Sequence, residues 1–290
     1  LNNQVEPYIG PGKALDPNKY FIVIPDMFTN GSSTSPSNAQ DIHKGLNFPL
    51  VTPFDNVRAQ RRLLEENFGI TSVELMVGFS MSGQQAYHWA ALHSDLLKRA
   101  CSICGTSKTS PHNWAMLHAY KASMETSQDW PAKSCDEWDP KVLNVFASIG
   151  ATMAMSQDWY RDGLHLTEGV TGVSDVIENI KGLFRPWIPA NIYAQTLTWM
   201  SADVSNNSTF NGSMESALRA IKIPFLMLPC ETDLYFRVED NKGELPFISN
   251  GHLNVIKSRS GHMAGLPGFS SEDDEFITNQ LIEFLRASCR

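Results

Sequence analysis

The sequence predicts an α/β architecture: a mostly parallel sheet flanked by helices, with a helical cap inserted between two of its strands. Three observations predict it. Short apolar or β-branched runs alternate with helical stretches, the pattern of strands joined by crossover helices. Residues 113–216 read as helical pieces with no convincing strand. The chain has 290 residues, 42% of them apolar and 19% charged, enough for a well-buried core and unlike a disordered chain. The core is therefore assigned to residues 1–112 and 217–290, and the cap to residues 113–216.

Residues 20–24, YFIVI, form a compact apolar run closed by Pro25 and read as a buried strand. A loop rich in Gly, Ser, Pro and Asn follows over residues 29–38. Thr52-Pro53 then opens a helix, with a capping threonine, proline in the first turn and Asp55 three residues along. Val57, Leu63, Leu64 and Phe68 give it an apolar stripe, and Gly69 ends it. Residues 73–77 are the next strand, residues 78–83 a Gly/Ser turn, and a helix runs on to about His93. Residues 99–104 form another strand. Strands resume at residues 223–228 and 253–256. The last helix starts near Ser270 or Ser271, with Glu272, Asp273, Asp274 and Glu275 at its positive end. Phe276, Ile277, Leu281, Ile282 and Leu285 recur on it at helical spacing.

Charge excludes some classes of function. Lys plus Arg is 23 and Asp plus Glu is 31, a formal net charge of −8, so the chain lacks the basic footprint that neutralises nucleic-acid phosphates. No run approaches the roughly 20 apolar residues of a membrane span. No secretory leader is read, and a cytoplasmic location is the expectation. The five cysteines, Cys101, Cys104, Cys135, Cys230 and Cys289, are odd in number and loosely spaced, which argues against a disulfide framework. Cys101-Ser-Ile-Cys104 has redox or metal spacing but sits in an apolar run without a second pair. It reads as buried strand, and no metal site is expected.

The chemistry concentrates at Gly78-Phe79-Ser80-Met81-Ser82-Gly83. A strand, a tight turn with Ser80 at its apex, and a helix together form a nucleophile elbow, which lifts a serine oxygen clear of the backbone. The usual pattern is G-x-S-x-G; here Ser82 stands at the last glycine position and Gly83 follows. A serine hydroxyl needs a general base oriented by a carboxylate, and in this layout the chain order is serine, acid, histidine. Asp233 and His262 follow successive strands in that order. Glu231 shares the loop of Asp233 but lies nearer the strand end, so Asp233 is preferred. His252 precedes its strand, and His88 and His93 lie on the helix after the elbow. Asp129, Asp203 and Asp240 lack strand-end context.

Several segments carry a resemblance. Ile9-Gly-Pro-Gly-Lys-Ala-Leu-Asp16, Phe48-Pro-Leu-Val-Thr52, Val57-Arg-Ala-Gln60 and residues 20–23, 78–83 and 107–113 closely resemble homoserine O-acetyltransferases of the α/β-hydrolase superfamily. Thr232-Asp233 and Gly261-His262 continue the match in the same order. The resemblance implies an α/β-hydrolase fold with Ser80 as nucleophile, Asp233 as orienting acid and His262 as base, the Met81 amide as one oxyanion donor, and a homodimer formed through the cap. The family has strands before the Ile9 segment, including a His-Ala-Leu-Thr-Gly turn that supplies a second oxyanion amide, and this sequence is expected to lack them. Lys121 aligns with an arginine that holds the homoserine carboxylate, and Met263 stands where an aspartate is common. The eroded homoserine contacts favour hydrolysis, or transfer to another acceptor, through an acyl-Ser80 intermediate. The expected partners are a small ester, thioester or alcohol. No cofactor is expected, with acyl-CoA as a candidate co-substrate. Two alternatives stand beside this reading: a true homoserine O-acetyltransferase using acetyl-CoA, and a non-catalytic ligand-binding protein on the same scaffold.

Overall fold

The computed structural model describes residues 7–128, 130 and 138–287; Asp129, Cys135 and Cys289 lie outside them. Four parallel strands, β1 (Met76–Phe79), β2 (Ala100–Ile103), β3 (Phe225–Leu228) and β4 (Gly251–Leu253), lie in the order β1-β2-β3-β4. Phe79 pairs with Ile103, and Ile103 with Leu228, so the carboxyl ends of the first three strands are level at one edge. The strands are short; the central pair β2 and β3 is buried along its whole length, as the middle of a parallel sheet requires, while β1 is half-buried and β4 exposes His252.

Alternation along the strands divides the core. Phe225 and Met227 face α2 (Met81–Leu92) and α8 (Met214–Ala220), packing with Tyr87, Trp89, Leu218 and Ile221. Leu226 and Leu228 face the opposite way with Cys101 and Ile103, against Ile277, Leu281 and Phe284 of α10 (Ser271–Arg286). The helix starts follow the sequence. At α1 (Pro53–Arg62) the Thr52 hydroxyl accepts the Asp55 amide and Asp55 accepts the Thr52 amide in return. At α10 the Ser270 hydroxyl accepts the Asp273 amide, with Glu272, Asp273 and Asp274 in the first turn.

Three expectations are corrected. Residues 20–24 join no ladder, and Phe21 is 74% exposed and Ile24 55%. An apolar run becomes a strand only when a neighbour accepts its amides, and β1 is paired only on its β2 side among the described residues; Phe21 packs instead on Phe68 at 5.8 Å. The first sheet strand begins at Met76 rather than residue 73, because Val73 makes an isolated bridge to Leu97 and the ladder starts after it. The last strand lies at Gly251–Leu253 rather than 253–256, and Ile256 keeps an isolated bridge to Cys230.

Between β2 and β3 run α3 (Pro111–Glu125), α4 (Val142–Met153), α5 (Gln157–Arg161), α6 (Val173–Phe184) and α7 (Pro189–Met200). α4 packs on α6 and α3 on α7. Within residues 113–216 the described part contains isolated bridges but no ladder.

His88, in the middle of α2, is buried, and neither ring nitrogen meets a hydrogen-bond partner among the described residues. Burial pushes its pKa from 6.5 down to about 4. In the unfolded chain the imidazole gains its proton as pH falls through 6.5, whereas the folded chain resists until about 4. The stability held at neutral pH is therefore lost across that window, by up to about 3 kcal/mol. Urea titrations at pH 7 and pH 4.5 should show this loss shrinking in His88→Asn; an equal loss in both chains refutes the assignment.

Candidate active site

Gly78 and Gly83 shape the elbow. A Cβ on Gly78 would sit 2.2 Å from the Ser82 carbonyl oxygen, so the turn folds back over a position that tolerates no side chain. A Cβ on Gly83 would come within 2.8 Å of the Ser102 hydroxyl and 3.1 Å of the Ile103 carbonyl. The close approach of helix to sheet thus falls on Gly83, one residue beyond the usual glycine, which explains how Ser82 is accommodated. Ser80 itself has φ 59° and ψ −124°, a strained conformation for a residue with a Cβ. Its amide donates to the Ile103 carbonyl at 2.9 Å, which pins the apex to β2.

Asp233 follows β3 and is completely buried. Its Oδ1 accepts the amides of Tyr235 at 2.7 Å and Phe236 at 3.2 Å, so the loop's own backbone orients the carboxylate. His262 follows β4 in the short turn Gly261–Gly265. Gly261 enters that turn at φ 67°, where a Cβ would meet the Ser156 amide at 2.6 Å. The Gly261 amide donates to the Thr232 hydroxyl, tying the two loops together. Phe79, Tyr235 and Phe236 enclose the imidazole, with ring centroids 4.7, 4.9 and 5.5 Å away.

Three side chains distant in sequence therefore meet at the carboxyl edge of the sheet. His262 Nδ1 donates to Asp233 Oδ2 at 2.7 Å, which leaves Nε2 to accept the Ser80 hydroxyl at 2.8 Å. The weighed competitors lie elsewhere. Glu231 pairs with Lys257 at the surface, and Asp203 with Lys108. Exposed His252 lies within β4 beside Phe284, and His93 meets Arg61. Asp240 lies on α9 (Val238–Glu244).

Met81 is the first residue of α2, so its amide has no acceptor within the helix and is available beside Ser80. The structure does not bring Lys121 to the relay. Its ammonium pairs with Glu125, one turn along α3, and the same carboxylate oxygen accepts the Tyr193 hydroxyl at 2.8 Å. The Met263 amide donates to the Ala154 carbonyl, and Ser156 donates to the Arg259 carbonyl, so the residues after α4 brace the histidine turn directly.

Sequence reasoning missed the aromatic wall. Tyr235 and Phe236 pack with Tyr120, Met116 and Leu117 of α3, and with Phe146, Ile149, Met153 and Trp199 at the margin. The hydroxyls of Tyr120 and Tyr235 are 2.9 Å apart. The available signal was the run Leu234-Tyr235-Phe236 directly after the acid.

A serine in a strained turn, joined to an imidazole that a buried carboxylate orients, is the arrangement that makes a hydroxyl nucleophilic. On this sheet it defines a serine-nucleophile enzyme of acyl transfer, acting as an acyl hydrolase or acyltransferase. The chain belongs to the alpha/beta hydrolase fold family, whose model matches residues 3–269. It is 32% identical over 281 residues to an ethyl acetate hydrolase of Pseudomonas veronii, covering 96% of this chain and 80% of that one. It is 33% identical over 287 residues to a homoserine O-acetyltransferase of Carboxydothermus hydrogenoformans, covering 91% and 75% of the two chains. An acetylester hydrolase structure from Corynebacterium glutamicum superposes with a TM-score of 0.92 at 30% identity, covering 98% of this chain and 82% of that one. The expected fold class and the resemblance to homoserine O-acetyltransferases are borne out, and esterases stand beside them. No helix among the described residues is long and apolar enough to cross a membrane.

Proposed function

We propose that the protein is an esterase for small uncharged esters, acetyl esters foremost, working through an acyl-Ser80 intermediate. The observation that carries this reading is the continuous relay from Ser80 to His262 to Asp233, at 2.8 and 2.7 Å. His262 Nε2 takes the Ser80 proton as Oγ attacks the ester carbonyl. The oxyanion that forms is met by the Met81 amide, and the imidazolium by the Asp233 carboxylate. As the tetrahedral intermediate collapses, the imidazolium returns the proton to the leaving alcohol. Water then attacks acyl-Ser80 with His262 again as base; the second tetrahedral intermediate collapses, the imidazolium returns its proton to Ser80 Oγ, and the carboxylic acid leaves. The serine supplies the nucleophile and water the acceptor, so the cycle needs no cofactor.

The choice of substrate rests on charge. A zwitterionic amino-acid acceptor needs a free cation and a free anion in the pocket. Lys121 is neutralised by Glu125, and Met263 carries no charge. The wall beside His262 is aromatic and apolar, a surface suited to a short acyl or alkyl group. The ethyl acetate hydrolase relative points the same way.

The test compares two reactions of the purified protein. Ethyl acetate and p-nitrophenyl acetate should be hydrolysed, and acetyl-CoA consumption should not accelerate when homoserine is added. Acceleration by homoserine would overturn the hydrolytic reading in favour of the acetyltransferase. A fluorophosphonate probe should label Ser80 and fail to label Ser80→Ala; an unlabelled wild type would point to a non-catalytic scaffold.

A further inference from the structure

We infer that Thr232 is a positioning residue of the relay: its hydroxyl ties the acid loop to the histidine turn and fixes the direction in which His262 meets Ser80. The inference rests on the reading of Ser80, His262 and Asp233 as the reacting relay. Thr232 directly precedes the acid, and Gly261 directly precedes the base. The Gly261 amide donates to the Thr232 hydroxyl at 3.1 Å, and His262 Nδ1 donates to Asp233 Oδ2 at 2.7 Å. Two consecutive residues of one loop therefore hold two consecutive residues of the other, and the four close a ring. The hydroxyl's own proton goes to the Ser258 carbonyl at 2.8 Å, which leaves its lone pairs for Gly261.

The ring does what one bond cannot. Held by Asp233 alone, the imidazole could pivot about the line from Nδ1 to Oδ2 and swing Nε2 away from the Ser80 hydroxyl, 2.8 Å distant. A second tie through the backbone removes that freedom. The far end of the tie is itself anchored. The Ser258 hydroxyl donates to Asp273 in the first turn of α10 and accepts the Ser260 amide. The turn has no substitute for the threonine. Gly261 is buried at φ 67°, and its amide meets no other acceptor among the described residues. The Cys230 sulfur lies 3.6 Å from both the Thr232 hydroxyl and the Ser258 carbonyl, but sulfur bonds too weakly to match the hydroxyl in either role.

Two variants separate the hydroxyl from the packing. Thr232→Val keeps the branched shape and loses the hydroxyl, whereas Thr232→Ser keeps the hydroxyl and loses the methyl group. With p-nitrophenyl acetate, Thr232→Val should lower kcat by about tenfold to a hundredfold and change KM by less than about threefold. Thr232→Ser should keep kcat within about threefold of the wild type. A Thr232→Val enzyme no slower than Thr232→Ser makes Thr232 packing alone and overturns the inference. Because the tie acts through the relay, Thr232→Val should cost less than about threefold once Asp233→Asn has removed the base, and an undiminished cost also overturns it. Should Thr232→Val fail to fold, the wild type decides. Its Gly261 amide should resist deuterium exchange as the Met263 amide does, which donates to Ala154; exchange at the rate of the exposed loops overturns the inference. Failure of the fluorophosphonate probe to label the wild type would instead remove the relay reading beneath it.

Discussion

Ser80→Ala is expected to lower ester hydrolysis by about 10⁴-fold or more, the scale on which loss of the nucleophile acts in triad enzymes. The remaining relay, His262 held by Asp233, has nothing left to activate except water that the elbow does not position. The same residue carries a second, opposite expectation. At φ 59° and ψ −124° the Ser80 backbone occupies a region that glycine enters freely and that costs any residue with a Cβ about 1–3 kcal/mol. Ser80→Gly relieves that strain but gains about 0.5–1 kcal/mol of chain entropy in the unfolded state, so the strain term wins. Ser80→Gly should therefore be as inactive as Ser80→Ala and yet more stable by about 1 kcal/mol, read from urea denaturation of the two variants. Both lose the bond to His262, so the comparison isolates the backbone. Equal stability would show that the turn stores no strain, and hydrolysis surviving in both would show that another residue attacks.

The catalytic geometry was legible because each part has a local cause. Gly78 and Gly83 mark a turn that must approach its neighbours, and the structure shows both contacts below the distance any Cβ allows. Asp233 and His262 follow from the order of strands, since a parallel sheet delivers every strand's carboxyl end to one edge. What the sequence hid depends on partners. Residues 20–24 have the composition of a strand, but strand formation belongs to a pair of segments, and the described residues provide none. Lys121 has the charge expected of a carboxylate-binding residue, but Glu125 one helical turn away neutralises it. That pairing is visible as an i,i+4 spacing, yet it decides nothing until the helix is placed. Tyr235 and Phe236 carry no signal of their own beyond their place directly after Asp233, and they are buried as core residues are. Their relation to His262 comes from the crossing of two loops, which no periodicity records.

Asp233→Asn is expected to lower kcat by about 10³–10⁴-fold with little change in KM, and here the structure supplies the reason. Two backbone amides, from Tyr235 and Phe236, converge on Oδ1. A carboxamide in this position must keep its oxygen on those two donors, because turning its NH2 toward them would set donor against donor. The NH2 group then faces His262 Nδ1, which must accept rather than donate. The ring proton moves to Nε2, and the imidazole presents N–H to the Ser80 hydroxyl instead of a lone pair. The base is lost by tautomer, while the fold, the pocket and the nucleophile's position are unchanged. Asp233 is completely buried and lies behind the imidazole, so the substrate's ground-state binding has little reason to change. Asp233→Ala leaves the ring free to choose its tautomer and should be no more impaired than Asp233→Asn. An Asp233→Asn enzyme with near wild-type kcat would place the orienting acid elsewhere. An Asp233→Ala enzyme much weaker than Asp233→Asn would show that the carboxylate's charge and packing matter more than the proton's location.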